Sequence, residues 1–123
     1  MGVIRMTIPG RLAGANEVIS AMNAHRFAGS TLKKKETHRC AQAAVASLVP
    51  EILRPVSIEF HWFEPNRRRD FDNIRYGAKF ILDGLRLARK LPNDGWAWVM
   101  TLGPDKFFVD AKNPRIEVFI SEI

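Results

Sequence analysis

The sequence predicts an α+β fold, a single small mixed domain over residues 1–123 in which a twisted sheet of about four strands packs against two to three helices. Three observations point there. Apolar and polar residues alternate in separated short segments, as in half-buried strands. Between them run stripes with helical spacing. The chain has 123 residues, 46% of them hydrophobic, which suits one ordinary core and excludes a disordered chain.

The first strand is expected over Val3 to Ile8, where Ile4, Met6 and Ile8 share a face and Pro9-Gly10 ends the run. Val18, Ile19 and Met22 predict a brief helix within Ala15 to Arg26, and Asn23, His25 and Arg26 followed by Phe27 to Ser30 read as a polar, basic, mobile arm. Ser30 or Thr31 can cap a helix from Leu32, although Lys33, Lys34 and Lys35 oppose its dipole. That placement fits either an external anion or a solvated face. Cys40, Ala41, Ala44, Val45 and Leu48 form this helix's apolar stripe, and Pro50 stops it.

Val56, Ile58, Phe60 and Trp62 alternate with Ser57, Glu59, His61 and Phe63, the clearest strand pattern in the chain. After Asn73, the positions Ile74, Ala78, Ile81, Leu85 and Ala88 predict one helix running to about Lys90, capped by Asp72 or Asn73. Trp96, Trp98, Met100 and Leu102 then alternate as a strand with the tryptophans inward, Gly103 to Lys106 reads as a turn, and Phe107 to Val109 as a short strand. Ile116, Val118 and Ile120 mark the terminal strand.

A net charge of +6 and a pI near 10.0 favour a polyanionic partner, nucleic acid before acidic membrane. Cys40 is the only cysteine, which excludes an intrachain disulfide and a cysteine zinc site and suits the cytoplasm. No apolar run approaches the roughly 20 residues of a membrane span, so no membrane partner is expected.

The chemistry concentrates in Arg67-Arg68-Arg69-Asp70-Phe71-Asp72-Asn73. Cationic groups hold phosphates, and carboxylates at i and i+2 of an extended segment project together, where they can share a divalent cation. If the loop carrying Asp94 returns beside the helix start, Asp70, Asp72 and Asp94 form a hard-oxygen set suited to Mg²⁺. Seven residues are close to two helical turns, so Lys79 shares a face with Asp72 and Tyr76, where it can stabilise charge on a phosphate. Structural roles compete for the same residues: a cap for Asp72, an arginine partner for Asp70, a turn for Asp94 and an ion pair with Asp83 for Lys79. His25, His38 and His61 lack the spacing of a metal site.

These residues, with Lys79-Phe80-Ile81-Leu82-Asp83-Gly84-Leu85, Asn93-Asp94-Gly95-Trp96 and the opening Ile8-Pro9-Gly10-Arg11-Leu12 followed by Asn16-Glu17, resemble the RusA family of Holliday junction resolvases, often carried by prophages. The resemblance implies a homodimeric, Mg²⁺-dependent endodeoxyribonuclease, with Mn²⁺ as a substitute, that resolves four-way DNA junctions in recombination and repair by paired nicks leaving 5′-phosphates. It assigns the acidic metal cluster to Asp70, Asp72 and Asp94 and the essential lysine to Lys79. Some members carry that lysine four residues after the second aspartate, where Tyr76 stands here. Arg67, Arg68 and Arg69, with Lys33, Lys34 and Lys35 and with Arg26 and Arg39, would then hold junction arms. Two other functions fit the residues: a catalytically inactive junction-binding module, and a phosphohydrolase of small nucleotides, which leaves the basic surplus idle.

Overall fold

The computed structural model describes residues 2–123. Eight elements follow one another: β1 (Ile4–Pro9), α1 (Ala15–Ala24), α2 (Ala28–Ala46), β2 (Val56–Glu64), α3 (Phe71–Arg75), α4 (Ala78–Leu87), β3 (Val99–Val109) and β4 (Arg115–Glu122). The strands form one mixed sheet in the order β1-β4-β2-β3. The predicted α+β domain is therefore the one observed.

Period-two patterning sets the sheet's register. β4 lies antiparallel between β1 and β2, so that Met6 and Phe60 flank Val118, and Ile4 and Ile58 flank Ile120. All of these except the half-buried Ile4 are fully buried, and they face Cys40, Ala44, Phe80, Ile81 and Leu85 from the helices in one apolar core. The other face carries Glu59, His61, Phe63 and Phe119, half-buried, with the His61 ring 4.5 Å from Phe119.

β3 pairs with β2 in parallel, from Val56↔Val99 to Glu64↔Val109. Parallel neighbours need a crossover, and α3 with α4 supplies it. The expected turn at Gly103 to Lys106 is replaced by continuous strand, because Gly103 and Pro104 are absorbed as an irregularity. Ile58 pairs with Leu102, but Phe60 pairs with Asp105, so β3 spends three residues where β2 spends two. Proline has no N–H to give, and on an outermost strand that loss is tolerated.

Four other expectations change. The helix predicted after Asn73 is broken at Tyr76-Gly77, where the chain tightens into bonds from Gly77 N to the Ile74 carbonyl (3.1 Å) and from Phe80 N to the Gly77 carbonyl (3.0 Å). A side chain on Gly77 would press on Leu12 at 3.2 Å. α2 begins at Ala28, with Phe27 rather than Ser30 or Thr31 at its cap, so most of the expected arm is helical. Trp96 is 93% exposed, because it precedes β3 in a loop and never reaches the sheet; Trp98 packs partly against the core. Ile19, Met22, Val45 and Leu48 also face outward. Leu48 does so because it takes the left-handed position after α2, at φ 57°.

Helices α2 and α4 cross at Cys40 and Gly84, and burial pushes the Cys40 thiol up from its ordinary 9.0 to about 12. The native thiol is therefore neutral at pH 8 and expected to resist a disulfide reagent until the protein unfolds. Because the folded value exceeds the unfolded one, this contribution to stability is complete below about pH 9 and lost as pH rises towards about 12. Rapid labelling of the native protein at pH 8, followed by absorbance, would contradict the buried packing.

Candidate metal and nucleic-acid site

The start of α3 is built by what precedes it. Extending the alternation of β2 by one step points Glu64 inward, where it is buried beneath the arginine run. Its carboxylate accepts from Arg69 Nε and Nη2, both at 3.0 Å, and from Arg11 Nη2 at 3.0 Å. Arg69 Nη1 also donates to the Leu12 carbonyl at 3.0 Å and reaches Glu17 at 3.3 Å. A bidentate guanidinium–carboxylate pair is a rigid joint, so Arg69 is a bolt within the fold rather than the free phosphate-holding cation expected. Arg67 and Arg68 are exposed.

Asp70 takes the cap position of α3 with an extended backbone but makes no side-chain capping bond, and it is exposed. Asp72 is also exposed, with one oxygen accepting from Asn73 N at 2.9 Å. Asn73 is buried, and its Oδ1 accepts from Asn16 N at 2.9 Å, tying the first turn of α1 to α3. Gly14 permits that contact, since a Cβ there would lie 2.4 Å from the same oxygen. Asn73→Ala is expected to destabilise by about 1–3 kcal/mol, because it orphans a backbone donor at a closed joint. A urea titration with an unmoved midpoint would refute this role.

Asp94 does not join the other two aspartates. Parallel pairing places the start of β3 beside the start of β2, whereas α3 begins beyond the end of β2. Eight strand residues separate those ends, roughly 26 Å at strand rise. Asp94 stands instead near Arg86 of α4, at 3.9 Å, in a groove with Leu82, Trp96 and Leu102. Among the described residues no group of three or more His, Cys, Asp or Glu side chains is placed to hold a metal ion. The expected convergence needed the loop to return to the helix start, and the crossover directs it away.

Lys79 lies 3.6 Å from Asp83 and is 57% exposed, the simple i, i+4 pair. The break at Tyr76-Gly77 removes the continuous helical face on which Tyr76 and Lys79 would follow Asp72. Tyr76 turns into the core edge against Phe80, ring centroids 5.6 Å apart. Lys33 and Lys34 line a separate groove with Met22, Arg26 and Gly29 where α1 meets α2, and Lys35 lies beside Arg11, Glu36 and Arg39. Arg39 is committed to Glu36 at 2.9 Å and to the Arg11 and Pro9 carbonyls.

The main concavity in this region is lined by Glu64, Asn66, Arg67, Phe71, Phe107 and Phe108. Its wall is a parallel stack of Phe71 on Phe107, centroids 4.0 Å apart, which holds α3 against β3. Next to that stack lies a residue that the alternation pattern does not flag. Asp105 of β3 faces α3, its side chain 9% exposed, with Arg75 Nε 2.5 Å from Oδ2. Read as part of a turn in the sequence, Asp105 shows no sign of being inward. The signal for Glu64 was present, as an acid at the inward parity of the clearest strand.

No family model matches the chain, and no curated protein matches it.

Proposed function

We propose that the chain is a Mg²⁺-dependent, structure-selective endodeoxyribonuclease acting on four-way DNA junctions. The observation that carries this is the pair of exposed carboxylates, Asp70 and Asp72, close in sequence to the exposed Arg67 and Arg68, of which Arg67 lines a groove, on a protein of net charge +6. Exposed aspartate oxygens suit Mg²⁺, which keeps several waters and takes few protein carboxylates alongside substrate phosphate. When bound, such an ion lowers the pKa of water and offsets charge on the leaving oxygen. The chain's own part is to hold and orient. Arg67 and Arg68 bind phosphates, the Glu64–Arg69 joint fixes the segment that presents Asp70, and Asn73 fixes the helix that presents Asp72. Cutting opposed strands of a junction needs two such sites, hence a two-fold homodimer. The resemblance to RusA resolvases supplies the junction substrate.

One observation favours a binding-only module as the second reading. Tyr76, at the position where some resolvases carry the lysine, packs against Phe80 at the core edge, and Lys79 is paired with Asp83. A cleavage assay on a synthetic four-way junction and a linear duplex, with and without Mg²⁺, separates the two. Junction-selective, Mg²⁺-dependent nicking that Asp70→Asn abolishes while junction binding persists is expected. Tight binding with no nicking at millimolar Mg²⁺ or Mn²⁺ overturns the nuclease and leaves the binding module.

A further inference from the structure

Three cations gather where α1 gives way to α2. Arg26, Lys33 and Lys34 line one groove of about 420 Å³ with Met22, Gly29 and Ser30, and no acid is among its lining. The acids on the same two helices are held elsewhere, Glu17 by Arg69 and Glu36 by Arg39 and the Ala13 N–H. Because α2 starts at Ala28, Lys33 and Lys34 stand in its second turn, beyond the dipole penalty that the sequence suggested. Ser30 is followed by Lys33 and Lys34 at i+3 and i+4, which sets all three on one helical face. Like charges held together on one wall raise a local field that favours a polyanion.

The groove is not only basic. Met22 lies against Gly29, so closely that a Cβ on the glycine would be 2.3 Å from Met22 Cγ. Beside them Phe27 is 59% exposed, and the Arg26 guanidinium lies over its ring, 5.0 Å from the centroid. His25 Nδ1 accepts from Phe27 N at 3.2 Å, which holds the turn that presents the ring. One exposed phenylalanine is ordinary, but one set beside three cations at a concavity has the composition of a stacking platform for bases. A duplex makes no use of such a platform, since its bases are stacked on one another and only phosphates and base edges face outward. A membrane surface is served by apolar groups on a face apart from the cations, whereas Met22 shares one concavity with the lysines. α1 begins against α3, where Asn16 N meets Asn73 Oδ1, and runs ten residues, so the groove stands roughly 15 Å from the segment carrying Asp72.

We propose that this groove holds one unpaired DNA strand, with a base stacked on Phe27 and the flanking phosphates on Lys33 and Lys34, as a contact separate from the Asp70–Asp72 segment. This rests on the nuclease reading for its nucleic-acid partner, but not for its test, which needs no cleavage. Stacking on an aromatic face is tolerant of sequence, because every base has such a face, so the groove selects an unpaired strand over a paired one rather than one base over another.

The experiment is fluorescence anisotropy of the intact protein, without divalent metal, on a labelled oligothymidine of about 16 nucleotides and on a duplex of the same length. Phe27→Ala is expected to weaken oligothymidine binding by about tenfold, the loss of one base stack, and to leave duplex binding unchanged. Phe27→Trp, which keeps a stacking face, is expected to retain it. Lys33→Gln with Lys34→Gln is expected to make the slope of log affinity against log salt shallower by about 1.4, at about 0.7 for each single-strand phosphate contact. An equal loss on both probes, or none on oligothymidine, in Phe27→Ala overturns the proposal. If Phe27→Ala does not fold, as judged by circular dichroism, the double lysine variant decides, and an unchanged salt slope overturns it. Binding to vesicles of anionic lipid but not to oligothymidine overturns it in favour of a membrane surface. Oligothymidine binding through Phe27 in a protein that cuts no junction would sink the nuclease alone. Junction cleavage by a protein whose oligothymidine affinity is indifferent to Phe27 and both lysines would sink this groove alone.

Discussion

Glu64→Ala is expected to lower stability by about 3–5 kcal/mol, the penalty for breaking a buried ion pair from one side. Glu64 and Arg69 are 7% and 12% exposed at their side chains, so the arginine left behind keeps its charge in a place with little water. Arg11, 36% exposed, can turn to solvent and contributes less. Against a total stability of about 5–15 kcal/mol, such a loss brings the domain close to unfolding at ambient temperature. Glu64→Gln should recover part of it, since an amide oxygen still accepts one of the arginine donors. Chemical denaturation measures both variants. A loss under 1 kcal/mol for alanine would mean that the joint is dispensable, and the link from Glu64 through Arg69 to Asp70 would fail with it.

Gly84→Ala is expected to force α2 and α4 apart. A Cβ at Gly84 would sit 2.5 Å from Cys40 Cβ, 2.8 Å from Ala41 N and 2.9 Å from the Cys40 carbonyl carbon. Two of those three atoms are backbone, so rotating a side chain offers no relief. Overpacking of this kind costs about 1–3 kcal/mol, and more where a helix must move. The melting temperature should fall, and the Cys40 thiol, sealed by this crossing in the native protein, should become reactive before global unfolding. A variant that melts like the parent and keeps its thiol protected would show that the helices have room to spare.

The two variants also mark what was legible in the sequence. Elements whose residues meet one environment throughout were readable: β2 alternates cleanly because one face meets the core along its whole length, and β4 does the same. The apolar stripe from Ile74 to Leu85 marked a helix correctly but could not show the break at Tyr76-Gly77, because the buried positions continue across it while the backbone tightens. Gly103-Pro104 carries the composition of a turn, and only pairing with β2 makes it strand. The site divides along the same line. That Asp70 and Asp72 stand close together and exposed was legible because both lie in one local segment. The position of Asp94 depends on whether two strands run parallel, a long-range property that spacing does not encode. Arg69 carries the same charge as Arg67 and Arg68, and only the inward acid at Glu64 tells it apart. Asp105 was hidden by an irregularity that reverses the parity of its strand.

The outer side of β3 has a consequence for self-association. An open strand border with Met100, Leu102, Phe108 and Val109 exposed along it is the kind of template on which a second chain adds by backbone pairing. β3 resists this through its own shape. Two register irregularities twist it, Pro104 withholds one donor, and Asp105 and Lys106 place charge at its middle. The same kinked run that turns a carboxylate towards α3 thus discourages fibrous stacking and keeps any two-fold partner from simply prolonging the sheet across β3.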